Sequence, residues 1–222
     1  QAYSTVNAEQ SMQSASVIKA FIMAAVYDKL IYPDEGTTVS SDYESTLKPL
    51  LTSMITVSDN ESCNELGRLQ SEKHDFLDGA EKVNEYLEKE GYSETSYQST
   101  LHPSSSAKIS LGGRNMTSVK DCGLLLERIY RGECVSEEAS AQMLDLLKRQ
   151  ENTSKIPAGI KAEVPTANKT GETDEDQHDI AIVYGAKTTY ILCVMSEGWK
   201  SGGDAVQNIQ NISSMVYNLS LI

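Results

Sequence analysis

Four residues, Ser16-Val17-Ile18-Lys19, place a hydroxyl and an amine three positions apart at the mouth of an apolar run. On a helix that spacing returns both side chains to one face. A serine hydroxyl is a poor nucleophile until a base takes its proton. A lysine serves as that base only when neutral, so its ordinary value of about 10.4 must fall toward neutrality through burial and nearby positive charge. A helix N-terminus adds backbone N–H groups where an oxyanion would form. The same S-x-x-K spacing recurs at Ser45–Lys48 and Ser105–Lys108. Lys48 precedes Pro49, and a residue before proline disfavours helical geometry; Ser105 lies in an irregular Ser-rich stretch. Only Ser16 and Lys19 are therefore expected to be pre-positioned.

Two further motifs each occur once. In Ser58-Asp59-Asn60, a hydroxyl and an amide are able to pass a proton to a leaving group and hold a substrate amide. In Lys169-Thr170-Gly171, the lysine offers a cation for an anion or for tuning the serine, and the glycine lets a substrate lie against a strand edge. Each motif also has a plainer explanation: a surface coincidence, a turn or helix cap, a strand end. Their joint occurrence, in this order, outweighs those explanations.

These residues need a scaffold. Ser16–Leu30 is predicted helical, with Val17, Ile18, Phe21, Ile22, Ala25, Val26 and Leu30 on one face. Further helices are predicted over Pro49–Val57, Glu61–Gln70, Phe76–Glu90 (ending at Gly91), Thr117–Tyr130 and Ser136–Arg149. Ala2–Val6 reads as a short strand, Asp34–Thr38 as a turn, and Tyr92–Asn115 as a long ordered loop of the kind that often carries function. Asp179–Tyr184 and Thr189–Ser196 form a hairpin signal across Gly185–Thr188, with Glu163–Lys169 as the preceding strand. Gly203–Leu219 closes as an amphipathic helix. The order gives an α+β fold in which a mainly helical lobe, residues 16–160, faces an α/β lobe built from 1–15 and 161–222.

Composition narrows the partners. The chain has 222 residues and a formal net charge of −13. That balance argues against nucleic acid and anionic membranes, which select basic patches. No apolar run approaches the roughly 18 residues of a membrane span. Cys63, Cys122, Cys134 and Cys193 contain no C-x-x-C pair, and His74, His102 and His178 fall into no ligand spacing, so no metal or other cofactor is expected. Free thiols and disulfides both remain open, as does the oligomeric state.

With all three motifs in order, the chain resembles the serine β-lactamase and penicillin-binding superfamily, in its class A-like branch. The resemblance runs from about Ala2 to the C-terminus and includes Met54–Asn60 and the strand Asp179–Ile182. It implies an antiparallel sheet flanked by helices beside an all-helical lobe. It also implies Ser16 as the acylated nucleophile, Lys19 as its base, Ser58 as proton relay and Asn60 as the group orienting the substrate amide. Lys169 and Thr170 would bind the substrate carboxylate beside Gly171, and the backbone N–H groups of Ser16 and Glu172 would form the oxyanion hole. The implied substrate is a β-lactam or a peptidoglycan stem peptide, and the implied location is extracytoplasmic.

Three features depart from the family pattern. No E-x-x-L-N motif lies between Asn60 and Lys169, so the glutamate that activates the deacylating water is missing; Glu94 is a poor stand-in. Ser16 lies near the first residue, so the family's first helix and strand are expected to be absent. Glu172, Asp174, Glu175 and Asp176 crowd the segment after the third motif, an acidic rim expected to weaken binding of anionic β-lactams. The expected function is a serine hydrolase acylated at Ser16, with a D,D-peptidase or a non-hydrolysing penicillin-binding sensor as the alternatives. A plain α/β-hydrolase is disfavoured by the lack of a G-x-S-x-G elbow.

Overall fold

The structure is a computed structural model that describes residues 3–33, 39–102 and 107–222. The expected turn at Asp34–Thr38 and the serine of Ser105–Lys108 lie outside those residues, as does Ala2 of the expected first strand.

The centre is helix α1, Ile18–Val26, in which all nine residues are buried. It continues through a wider, π-type turn at Tyr27–Ile31. Helices α2 (Lys48–Thr56), α3 (Asn60–Leu69) and α4 (Phe76–Lys89) pack around it. Helices α5 (Val119–Arg131) and α6 (Glu137–Lys148) bridge from this group to the sheet. The N-termini follow the sequence closely, because short polar side chains accept the orphan N–H groups. Asp59 caps α3, Asp75 caps α4, Ser118 caps α5 and Ser136 caps α6. Gly132, at φ 77°, ends α5 in the left-handed region.

The main sheet is antiparallel in the order β3-β4-β5, with β3 Thr166–Glu172, β4 Gln177–Tyr184 and β5 Thr189–Ser196. Both faces are covered, which is why Ile180-Ala181-Ile182-Val183 reads as a continuous apolar run. Ile180 and Ile182 join the main core against the helices, whereas Ala181 and Val183 face the C-terminal helix α7, Gly202–Leu219, through Ile209 and Tyr217.

Two expectations are corrected. Tyr3–Val6 forms no strand; the N-terminal pairing is instead β1, Met12–Gln13, with β2, Met116–Thr117. Lys48 is helical despite preceding Pro49, with φ −64° and ψ −44°. The proline sits in the first turn, where its missing N–H has no partner to lose. Lys48 still takes no part in chemistry: its ammonium is exposed and paired with Glu44 at 2.9 Å.

The long loop is held by asparagines. Asn84 exchanges two hydrogen bonds with the backbone of Tyr97, and Asn64 two with that of Leu101. Asn115 accepts from the N–H groups of Gln98 and Ser99 and donates to the Ser99 carbonyl. All four cysteines are free thiols.

Candidate active site

Ser16 sits in a single 3₁₀ turn, Ala15–Val17, that leads into α1. The turn is constrained from three sides. Ala15 adopts φ 46°, a left-handed value that costs a non-glycine residue. The Ser14 N–H donates to the Asn115 carbonyl at 2.8 Å, and His178 Nε2 lies 2.8 Å from the Gln13 carbonyl. The Ser196 N–H donates to Nδ1 of that histidine at 3.2 Å, so Nε2 carries the proton and donates, and burial favours this neutral form. On the fourth side runs β3. A Cβ added to Gly171 would lie 3.0 Å from both Ser14 O and Val17 N and 3.1 Å from Ser16 N. Only glycine lets the strand approach the serine turn this closely.

Lys19 is fully buried. Its Nζ lies 3.0 Å from Ser16 Oγ, 3.1 Å from Ser58 Oγ, 2.6 Å from the Ser58 carbonyl and 2.7 Å from Asn60 Oδ1. Four oxygens exceed the three protons an ammonium offers. A neutral amine has two N–H bonds and a lone pair, which can receive a serine hydroxyl proton. Desolvation pushes in that direction and lowers the lysine's pKa, opposed by the weaker fields of Cys63, Asp59 and Glu172.

Ser58 Oγ also accepts from Lys169 Nζ at 3.0 Å, so one hydroxyl bridges two lysines. Lys169 donates in addition to the Thr170 carbonyl at 2.9 Å. Burial, reinforced by the charge of Lys19, brings Lys169 down to about 7. Ser58 itself stands at φ 60°. That strain turns the chain sharply between α2 and α3, and Asp59 fixes the result by accepting from the Ser62 N–H at 2.6 Å.

Ser16, Lys19, Ser58, Asn60 and Lys169 thus form one hydrogen-bonded network, with Gly171 against its serine turn. Thr170 is buried on β3. The Glu172 side chain is bonded not to this network but to Lys155 Nζ at 2.7 Å. Sequence reasoning missed Lys155. It also missed Asn64, which ties Leu101 to α3, next to the 3.4 Å contact of Asn60 Nδ2 with the His102 carbonyl. Neither carried a signal, because each acts through contacts distant in sequence. Among the described residues no group of three or more His, Cys, Asp or Glu is placed to hold a metal ion.

Comparison with known proteins follows the same line. No curated protein matches the chain. Solved structures share the fold. A β-lactamase from Sphaerobacter thermophilus is 20% identical with a TM-score of 0.76, covering 98% of this chain and 87% of its own. A protein described as PBP-A is 23% identical with a TM-score of 0.75, covering 96% and 83%. An ancestral class A β-lactamase is 20% identical with a TM-score of 0.75, covering 96% and 88%. A family model described as the Beta-lactamase enzyme family matches residues 31–219, a span that holds Ser58–Asn60 and Lys169–Gly171. On that match, the chain belongs to the Beta-lactamase enzyme family.

Proposed function

We propose that the protein is a penicillin-binding serine acyl-transferase, extracytoplasmic as its cell-wall substrates require, whose acyl-enzyme with β-lactams is long-lived. The observation that carries the reading is the buried Lys19 amine 3.0 Å from Ser16 Oγ. Neutral Lys19 takes the Ser16 proton as Oγ bonds to the carbonyl carbon of a β-lactam or a D-Ala-D-Ala-like amide. The developing oxyanion is received by the backbone N–H groups of Ser16 and Glu172, the latter following the Gly171 that packs against the serine turn. The C–N bond then breaks. Ser58 gives its proton to the departing nitrogen and is reprotonated from Lys19, so the proton taken from Ser16 ends on the leaving group. Asn60 orients the substrate amide, and Lys169 with Thr170 receives its carboxylate.

Slow deacylation is favoured by a second observation. The chain carries no Asp or Glu between Glu94 and Asp121, and the loop positions tied to the site are Leu101 and His102. Neither is a carboxylate able to activate water. A Leu-to-Glu variant of PBP-A is described as an acyl-enzyme complex with penicillin G, so a protein of this fold forms such an adduct.

The test combines nitrocefin turnover with intact mass. A stable adduct with little hydrolysis, lost in Ser16→Ala, is the expected result, and release of D-Ala from a stem peptide then identifies a D,D-peptidase. Steady turnover would overturn slow deacylation and make the protein a β-lactamase. An adduct that survives Ser16→Ala would overturn the nucleophile.

A further inference from the structure

Among the described residues of this acidic chain three lysines are fully buried: Lys19, Lys169 and Lys155. The motifs explain the first two. Lys155 reaches the end of β3 from the segment before a 3₁₀ turn at Pro157–Gly159. Its Nζ donates to the carbonyls of Gly171 at 3.2 Å and His178 at 3.1 Å, a cross-strand pair in the register of β3 and β4. Its third donor goes to Glu172 Oε2 at 2.7 Å. An ammonium has three donors, so all are spent. The carbonyls are neutral, and Glu172 is the anion that balances the charge, its own side chain 53% exposed at the rim.

Strand pleating puts Thr170 and Glu172 on the same face of β3. The Glu172 carboxylate and its buried cation therefore stand beside the threonine assigned to the substrate carboxylate. Asp176 accepts from the Thr173 hydroxyl at 2.7 Å and closes the β3–β4 turn, which leaves Glu172, Asp174 and Glu175 exposed at the rim. Of these, Glu172 is the one bonded to a buried cation at the end of β3.

We infer that Glu172 is a specificity-determining residue: its carboxylate already fills the cationic position next to Thr170, so an acyl donor bearing a carboxylate there must displace it or suffer its repulsion. The inference rests on the acyl-transfer reading. A donor whose carboxylate reaches Lys169 and Thr170 is therefore acylated less readily, relative to its esterified or amidated form, than it would be without the Glu172 charge. The field of Glu172 also acts to raise the pKa of both Lys19 and Lys169, opposing burial, so its removal makes both easier to neutralise.

The experiment compares acylation of the full chain by a penicillin and by its methyl ester, read as second-order rate constants from intact mass. In Glu172→Gln the acid-to-ester rate ratio is expected to rise about tenfold, as loss of one like charge at a half-exposed rim allows. The rising limb of the pH profile is expected to move to lower pH. Glu172→Asp, which keeps the charge, is expected to return the ratio toward the original. Because Glu172→Gln leaves buried Lys155 without its anion, urea unfolding of each variant is measured alongside, and the ratio of two donors on the same protein is read because loss of folding would lower both rates together. An unchanged ratio in Glu172→Gln, with both donors still forming adducts, overturns this inference and leaves acyl transfer intact. Absence of adduct with either donor in every version overturns acyl transfer and this inference together.

Discussion

Replacing Gly171 by alanine tests whether strand β3 sets the geometry of the nucleophile. The added Cβ would meet Ser14 O, Val17 N and Ser16 N at 3.0, 3.0 and 3.1 Å, against 3.4 Å or more for ordinary contact, so something must move by a few tenths of an ångström. No side chain can rotate to absorb this, since all three neighbours are backbone. The turn is also closed by the Val17 N–H to Ser14 O bond at 3.1 Å and anchored to Asn115, while β3 is fixed by its pairing with β4. Overpacking of this kind costs about 1–3 kcal/mol of stability. A misplacement of about 1 Å costs on the order of 100-fold in rate, so the smaller shift predicts a loss of about 10- to 100-fold in acylation. Intact-mass kinetics with benzylpenicillin and denaturant unfolding measure both. The matched control is Gly123→Ala in α5, where an added Cβ meets nothing within 4 Å and helix propensity predicts a gain of up to about 1 kcal/mol. Wild-type acylation and stability in Gly171→Ala would refute the idea that close approach of the strand holds the serine turn.

Acylation is expected to climb with pH below the usual lysine range, because burial lowers the pKa of the base Lys19, as it does that of Lys169; a rate that rises only toward pH 10 would contradict a neutral amine base. The same depression makes charged Lys169 a stability cost that is full below pH 7 and relieved as pH rises toward the unfolded value of 10.5. Lys169→Met should thus gain more stability relative to wild type at pH 6 than at pH 9, in parallel urea titrations. Ser58→Gly should relieve the φ 60° strain but strip the hydroxyl partner from two buried lysines, so a net loss of about 1–3 kcal/mol in urea unfolding is expected, with acylation cut at least tenfold. Asn64→Ala should strand the half-buried N–H and carbonyl of Leu101, now bonded at 2.9 Å each, and cost about 1 kcal/mol of stability. Unchanged unfolding midpoints would show that this clamp is dispensable.

What could be read in the sequence divides by the range of the interactions involved. Ser16 and Lys19 are three residues apart, and local helix geometry brings them together. The helix starts at Asp59, Ser118 and Ser136 were equally local, because a cap acts within its first turn. Ser58 and Lys169 were found by motif alone; their meeting across 111 positions is tertiary. The strand expected at Tyr3–Val6 failed for the same reason. Pairing depends on a partner, and the partner Met116–Thr117 selects Met12–Gln13. The Tyr92–Asn115 loop showed no period because asparagine side chains, not a ladder, satisfy much of its backbone.

The net charge of −13 illustrates the limit most directly. It describes the solvated surface, yet the site is built on three buried ammonium groups whose effect grows as water is excluded. Two of them, Lys19 and Lys169, converge on one serine hydroxyl and are driven toward neutrality, the state a base needs. The third, Lys155, is balanced by one carboxylate from the acidic excess. A single acid at the end of β3 thereby enters the site's choice of substrate, while Asp59 and Glu172 both act against the neutralisation of Lys19.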